Sequence, residues 1–388
     1  MLLDVLRNGA GAEEGLDGLR SVAVSADGRY VYGVGVTDEA LTVFARNPSG
    51  ALIFIQVIGG IAGASAVSAS PDGVHVYVAG GDAITTFARG SDGRLTPIAV
   101  VVNGLAGVSG IGGVQALAIS PDGFNLYAAG FADDAVAVFR RDPLNGQLAF
   151  LQAVPGMLGA AAVAVSPDGA SVYVGRFDDA TIAVFARAPQ TGVLSGIELE
   201  RESIGGVTGL TEVSALAVSP DGERLYAVGT NAMTVFARAA SDGRLGFIEA
   251  KSYFTDRVGC PAAPVAAVAV SEDHRFVYAA RALDTGVAVF ERDAGSSVLV
   301  LRSVYDDERG GRGCDGGFSL APFADDASGA QLYTSGVADD RLVVLTSDVA
   351  GVGALAFAEE HRNGIGGVDG LTGASALAPV RPSTPPMP

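Results

Sequence analysis

The chain has 388 residues, 49% of them hydrophobic, and sets 43 acidic against 25 basic side chains for a net charge of −18. Lys251 is the single lysine, so the clustered cations that nucleic acid demands are missing and it is excluded as an expected partner. The apolar residues fall in short runs, none near the ~20 that carry a helix across a bilayer, and Met1–Arg7 lacks the charged lead and apolar core of a signal peptide.

From the N-terminus, Leu2–Asn8 has the pattern of a strand that would close a repeat unit rather than open one. Ser25-Ala26-Asp27-Gly28 is then the first of seven related turns, each followed at a fixed offset by a tyrosine: Tyr32, Tyr77, Tyr127, Tyr173, Tyr226, Tyr278 and Tyr333. The spacings run from 45 to 55 residues, a period that in an all-strand pattern marks a β-propeller. Residues 213–250 show one unit. Val213–Ser219 alternates with period two and reads as a strand. Pro220-Asp221-Gly222 supplies turn chemistry: a preset φ, a side-chain acceptor and a left-handed position. Leu225–Val228 and Met233–Arg238 are the second and third strands, Ser241-Asp242-Gly243 turns the chain, and Leu245–Ile248 is the fourth.

The third strand carries its own recurrent aromatic: Phe44, Phe87, Phe139, Phe185, Phe236 and Phe290, replaced by Leu345 in the seventh unit. These and the tyrosines read as packing between blades, and the repeated aspartate of the turns reads as turn chemistry. A single blade cannot bury both its faces, and a ring of blades can.

The count is seven units with a stray strand at each end, the second being Ala374–Ala378, which stops at Pro379. Arg7-Asn8-Gly9 mirrors Arg362-Asn363-Gly364. The expected fold is an all-β, seven-bladed propeller of four-stranded antiparallel blades over residues 1–378, with the extra terminal strands covering the closure seam. A rudimentary eighth blade of a longer array is the alternative. Residues 379–388 form a Pro-rich tail or linker.

In such a ring the loops between second and third strands share one face with the linkers between blades, and the tight turns share the other. We call these the loop face and the turn face. The variable linkers make the loop face the expected site of function. Its second-to-third loops are acidic, with Asp133, Asp134, Asp178, Asp179, Asp339 and Asp340 as candidate ligands for a hard cation such as Ca²⁺, although no calcium-loop pattern is present. Acid–base work favours histidine. His75 and His274 fall at tight turns, leaving His361, beside Arg362, with Arg201, Arg257, Arg309 and Arg312 as further cations that can clamp a carboxylate or phosphate. Cys260 and Cys314 hold equivalent places in consecutive linkers, where a disulfide, two free thiols or a metal site are all open.

The phrase Val163-Ala164-Val165-Ser166-Pro167-Asp168-Gly169, followed by Val172-Tyr173-Val174, Ile182–Arg187 and Thr191-Gly192-Val193-Leu194, resembles the bacterial seven-bladed lactonase-type propellers. That group includes the propeller 6-phosphogluconolactonases. The phrase also resembles the YVTN-type repeats of bacterial surface proteins. The likeness spans nearly the whole chain, but its motifs specify blades, not a catalytic residue. It implies hydrolysis of a sugar lactone with no required cofactor. The rival expectation is a non-catalytic binding or scaffold module of an exported or cell-surface bacterial protein. Under either, the expected partner is a small carbohydrate-like ligand or a protein on the loop face. The chain would act as a monomer or as part of a larger one, in the periplasm, secreted or on the surface, with the cytoplasm left open.

Overall fold

The computed structural model describes residues 6–7, 15–47, 50–230, 232–252, 265–281, 287–293, 298–305, 318–320, 324–326, 329–336, 341–347 and 355–362. Seven antiparallel sheets follow one another along the chain. Blade one runs over 19–58, two over 64–102, three over 114–155, four over 160–201, five over 215–251, six over 265–305 and seven over 318–362. Within blades one to six sequential strands pair in order, and in blade seven Phe318–Leu320 and Ala324–Asp326 both pair with Gly329–Gly336. The first strands touch their neighbours in a closed circuit, so they line the axis and the fourth strands form the rim. This is the expected seven-bladed propeller.

The seam is closed at the rim and in the core. Leu6–Arg7 pairs in parallel with the fourth strand of blade seven, Leu355–Arg362, placing Leu6 opposite His361 and Arg7 opposite Arg362. The two mirrored Arg-Asn-Gly stretches therefore begin side by side. Leu16, Leu19, Val31 and Phe44 of the N-terminal side pack with Tyr333, Leu342 and Val344 of blade seven. Ala374–Ala378 and the Pro-rich tail lie outside the described residues.

Register explains the two aromatic series. Tyr32 stands opposite Val43, and Val31 opposite Phe44; side chains alternate across a strand, so Tyr and Phe face opposite neighbours. Tyr77 reaches the next blade, its hydroxyl donating to the Gly146 carbonyl at 2.9 Å, while Phe44 faces the preceding one. All seven tyrosines are fully buried.

A buried phenol needs a hydrogen-bond partner, and the next blade supplies one to Tyr77, Tyr127 and Tyr173, while the Tyr226 hydroxyl has none among the described residues. At the interface of blades three and four, Arg187 ends a third strand and donates from Nε to the Tyr127 hydroxyl at 2.9 Å. Its Nη2 pairs with Asp122 at 2.6 Å and its Nη1 donates to the Gly169 carbonyl at 3.1 Å. Arg141 joins Tyr77, Asp72 and the Gly123 carbonyl in the same way, and Arg238 joins Tyr173, Asp168 and the Gly222 carbonyl. Arg89 pairs with Asp27, and Arg292 with Asp221. The turn aspartate thus has two tasks. One oxygen of Asp122 accepts from the Ser120 hydroxyl and the Phe124 amide, which is the turn chemistry read from sequence, and the other takes the arginine of the next blade.

Candidate functional site

On the loop face the acidic loops work on the backbone of the linkers. Asp133 Oδ2 accepts from the amides of Gly110 and Gly112 at 3.0 and 2.9 Å and from the Asn103 side chain. Asp134 accepts from Gly159 N at 2.7 Å, Asp82 from Gly113 N and Asp38 from Gly15 N and Asp17 N. A glycine-rich linker has amides and no side chains to satisfy them, and these carboxylates fill that need. Asp179 is held by Arg176 at 2.6 Å and by the Thr181 hydroxyl at 2.8 Å, while Asp178 lines an open hollow beside it. Among the described residues no three His, Cys, Asp or Glu side chains gather as a metal set.

The candidate cations are scattered. Arg201 ends the fourth strand of blade four, and His361 with Arg362 ends that of blade seven. Both places are on the rim, in different blades. Arg257, Arg309, Arg312, Asp339, Asp340, Cys260 and Cys314 lie outside the described residues.

The group that sequence reading missed is on the axis. The first strands of blades one, two, three, four and six have a register shift at the second residue, as between Leu19 and Ser21 in blade one and between Val114 and Ala116 in blade three. A bulge re-aims the extra side chain. The bulged residues include Arg20, Ser65, Gln115 and Ala161. Arg20 donates to the Gln115 side-chain oxygen. Blades one and three are not neighbours, so this bond spans the loop-face mouth of the central channel. Arg20 is open to solvent yet walled by protein, and desolvation lowers its pKa from the ordinary arginine value. No carboxylate among the described residues pairs with it. By contrast, Arg89, Arg141, Arg187, Arg238 and Arg292 are all ion-paired. An unpaired, partly desolvated guanidinium with a planar fork is an anion site. The sequence did carry a signal: the position is small or neutral in the other bulges and charged only in Leu19-Arg20-Ser21.

The family model for the seven-bladed β-propeller lactonases ("Lactonase, 7-bladed beta-propeller") matches residues 10–152 and 83–202. The chain is a lactonase-family propeller. No curated protein matches it. Solved structures share the fold at low identity. A candidate 6-phosphogluconolactonase from Bacteroides uniformis is 21% identical with a TM-score of 0.62, over 74% of this chain and 85% of that one. The periplasmic gluconolactonase PpgL of Pseudomonas aeruginosa is 24% identical with a TM-score of 0.61, over 74% and 85%. Sqt1 of Saccharomyces cerevisiae, at 12% identity and a TM-score of 0.65, covers 92% of this lactonase-family propeller and 89% of its own chain. The fold therefore extends beyond lactonases, and the reading of this member's activity rests on its own residues.

Proposed function

We propose that this propeller hydrolyses the lactone of an acidic or phosphorylated sugar at the loop-face mouth of its channel. The observation that carries this reading is Arg20, a cation with which no carboxylate among the described residues pairs, bonded instead to Gln115 two blades away. A lactone is an internal ester. Water adds to its carbonyl carbon, the ring C–O bond breaks, and the alkoxide takes a proton to give the open-chain acid. Arg20 would hold the substrate's carboxylate or phosphate, and the Gln115 amide would fix the guanidinium and bond a sugar hydroxyl. Positioning of this kind supplies much of the rate in a reaction whose uncatalysed form already proceeds in water. The acidic loops, Asp133 and Asp134 among them, are the place where Ca²⁺ would act if the reaction needs it.

A second reading is capture of the same anions without turnover. One observation favours it: the hydrogen bond that Arg20 makes is to an amide, not to a base.

A pH-stat assay on gluconolactone and its 6-phospho form, with calcium and with EDTA, tests both. Turnover above the spontaneous rate, reduced about 10- to 100-fold in kcat/KM by Arg20→Ala as a charged hydrogen bond is lost, supports hydrolysis. Spontaneous rates with saturable gluconate binding support capture. Spontaneous rates without binding overturn the site.

A further inference from the structure

We propose a second ligand site on the loop face, between blades four and five, that takes a neutral sugar ring. An open hollow of about 390 Å³ there is lined by Phe177, Asp178, Ala180, Thr211, Glu212 and Thr230. It goes beyond the channel reading, since Arg20 and Gln115 stand on blades one and three.

The hollow sits where the repeat departs from itself twice. The third residue after the recurrent tyrosine is Gly35, Gly80, Gly130, Gly229 and Gly336 in blades one, two, three, five and seven, but Arg176 in blade four, as it is Arg281 in blade six. At Gly130 and Gly229 a side chain would strike a linker carbonyl, of Gly110 and Thr211 respectively. The linker into blade four, residues 156–159, is shorter than those into blades three and five. Arg176 pairs with Asp179, and Asp178 lines the hollow. Fourteen residues before the recurrent tyrosine stands a left-handed glycine, Gly18, Gly63, Gly113 and Gly159, in the first four blades. In blade five that place is taken by Glu212, at φ 48°. A glutamate therefore holds a glycine's conformation where it can face the hollow, and Thr230 donates to its carboxylate.

The lining groups point to the ligand class. The side-chain oxygen of Thr211, on the hollow, is buried without a partner among the described residues. A hydroxyl both gives and takes a hydrogen bond. Asp178 and Glu212 only take. A metal ion or an ammonium would leave the Thr211 proton without an acceptor, and an anion would meet two carboxylates. Sugar hydroxyls can give to the carboxylates and take from Thr211. The half-buried ring of Phe177, braced by Phe131 at 6.1 Å, offers an apolar surface to the C–H side of a pyranose.

The chain has no tryptophan, so Phe177→Trp installs a single indole on the hollow, which can be excited apart from the tyrosines. Titration of this variant with methyl glucoside, gluconate, calcium chloride and choline gives the readout, and calorimetry on the unmodified protein removes dependence on the substitution. We expect saturable binding of methyl glucoside, kept in Arg20→Ala and weakened at least about tenfold in Glu212→Gly as a carboxylate hydrogen bond is lost. Glu212→Gly restores the residue that the first four blades use, so its thermal melt should not fall. Loss of gluconate binding alone in Arg20→Ala would concern the channel and leave this site standing. The site is overturned if methyl glucoside fails to bind, if Glu212→Gly binds it unchanged, or if only calcium or choline saturates.

Discussion

Gly192 is the turn glycine between the third and fourth strands of blade four. Its φ is 78°, and a methyl group there would overlap the Asn125 side chain of blade three. Gly205 also has positive φ, at 64°, with open space around it. Gly205→Ala should cost about 1 kcal/mol for the left-handed conformation alone, and Gly192→Ala clearly more, because the neighbouring blade must move as well. Denaturation midpoints of the two variants measure the difference. Arg187 makes the sharper case. Its guanidinium is buried, and its loss strands the Tyr127–Asp122 contacts. Arg187→Ala should cost about 3 kcal/mol, the lower end for breaking a buried pair, since Asp122 is partly open to water. Arg187→Lys should recover less than half, having no fork to span Nε and Nη2. The arginine was visible in the sequence as the end of each Phe-x-Arg phrase, but nothing in a linear pattern shows a side chain crossing to the blade before it.

At the scale of strands and linkers, periodicity made most of the fold legible. The first strands alternate, the turns carry Pro-Asp-Gly, and the aromatics recur, so local chemistry and global packing agree. The acidic loops were harder. Asp133 and Asp134 suggested a cation, yet their oxygens receive linker amides, a task that depends on where a glycine-rich segment passes and not on any motif. Arg20 was equally hidden, because a bulge adds a residue without changing the composition of a strand. Glu212 gives a test at this scale. A non-glycine residue at φ 48° carries strain, so Glu212→Gly should raise stability by up to about 1 kcal/mol, read as a higher midpoint in urea.

For the ring as a whole, the interface network predicts two pH limits. Burial alone would raise the pKa of Asp27, but hydrogen bonds from Arg89 and Ser25 outweigh it and hold it at about 2. Asp72, Asp122, Asp168 and Asp221 are lowered in the same way. A carboxyl with a depressed folded pKa contributes stability that is present above its unfolded value, near 4, and is lost as pH falls through the folded value. The tyrosines set the other limit. Burial lifts Tyr32, Tyr77, Tyr127 and Tyr226 to about 12. Their contribution is whole below about 10, the unfolded value, and disappears as pH rises through 12. Melting temperature should therefore stay level from about pH 5 to 9 and fall on both sides, steeply because five interfaces titrate together. A decline confined to the acid side would show that the phenols are not buried as described.

The arginine contacts also give the ring a direction. Blades three, four and five each bring the guanidinium and the turn glycine that complete the tyrosine of the blade before, and none completes its own. A chain emerging from the ribosome N-terminus first thus fastens blades two to four by the arrival of their successors, in the order of synthesis. Growth is a one-way ratchet, and the last step, docking of blade seven against Leu16, Leu19 and Phe44, is the moment at which an open crescent becomes a closed wheel.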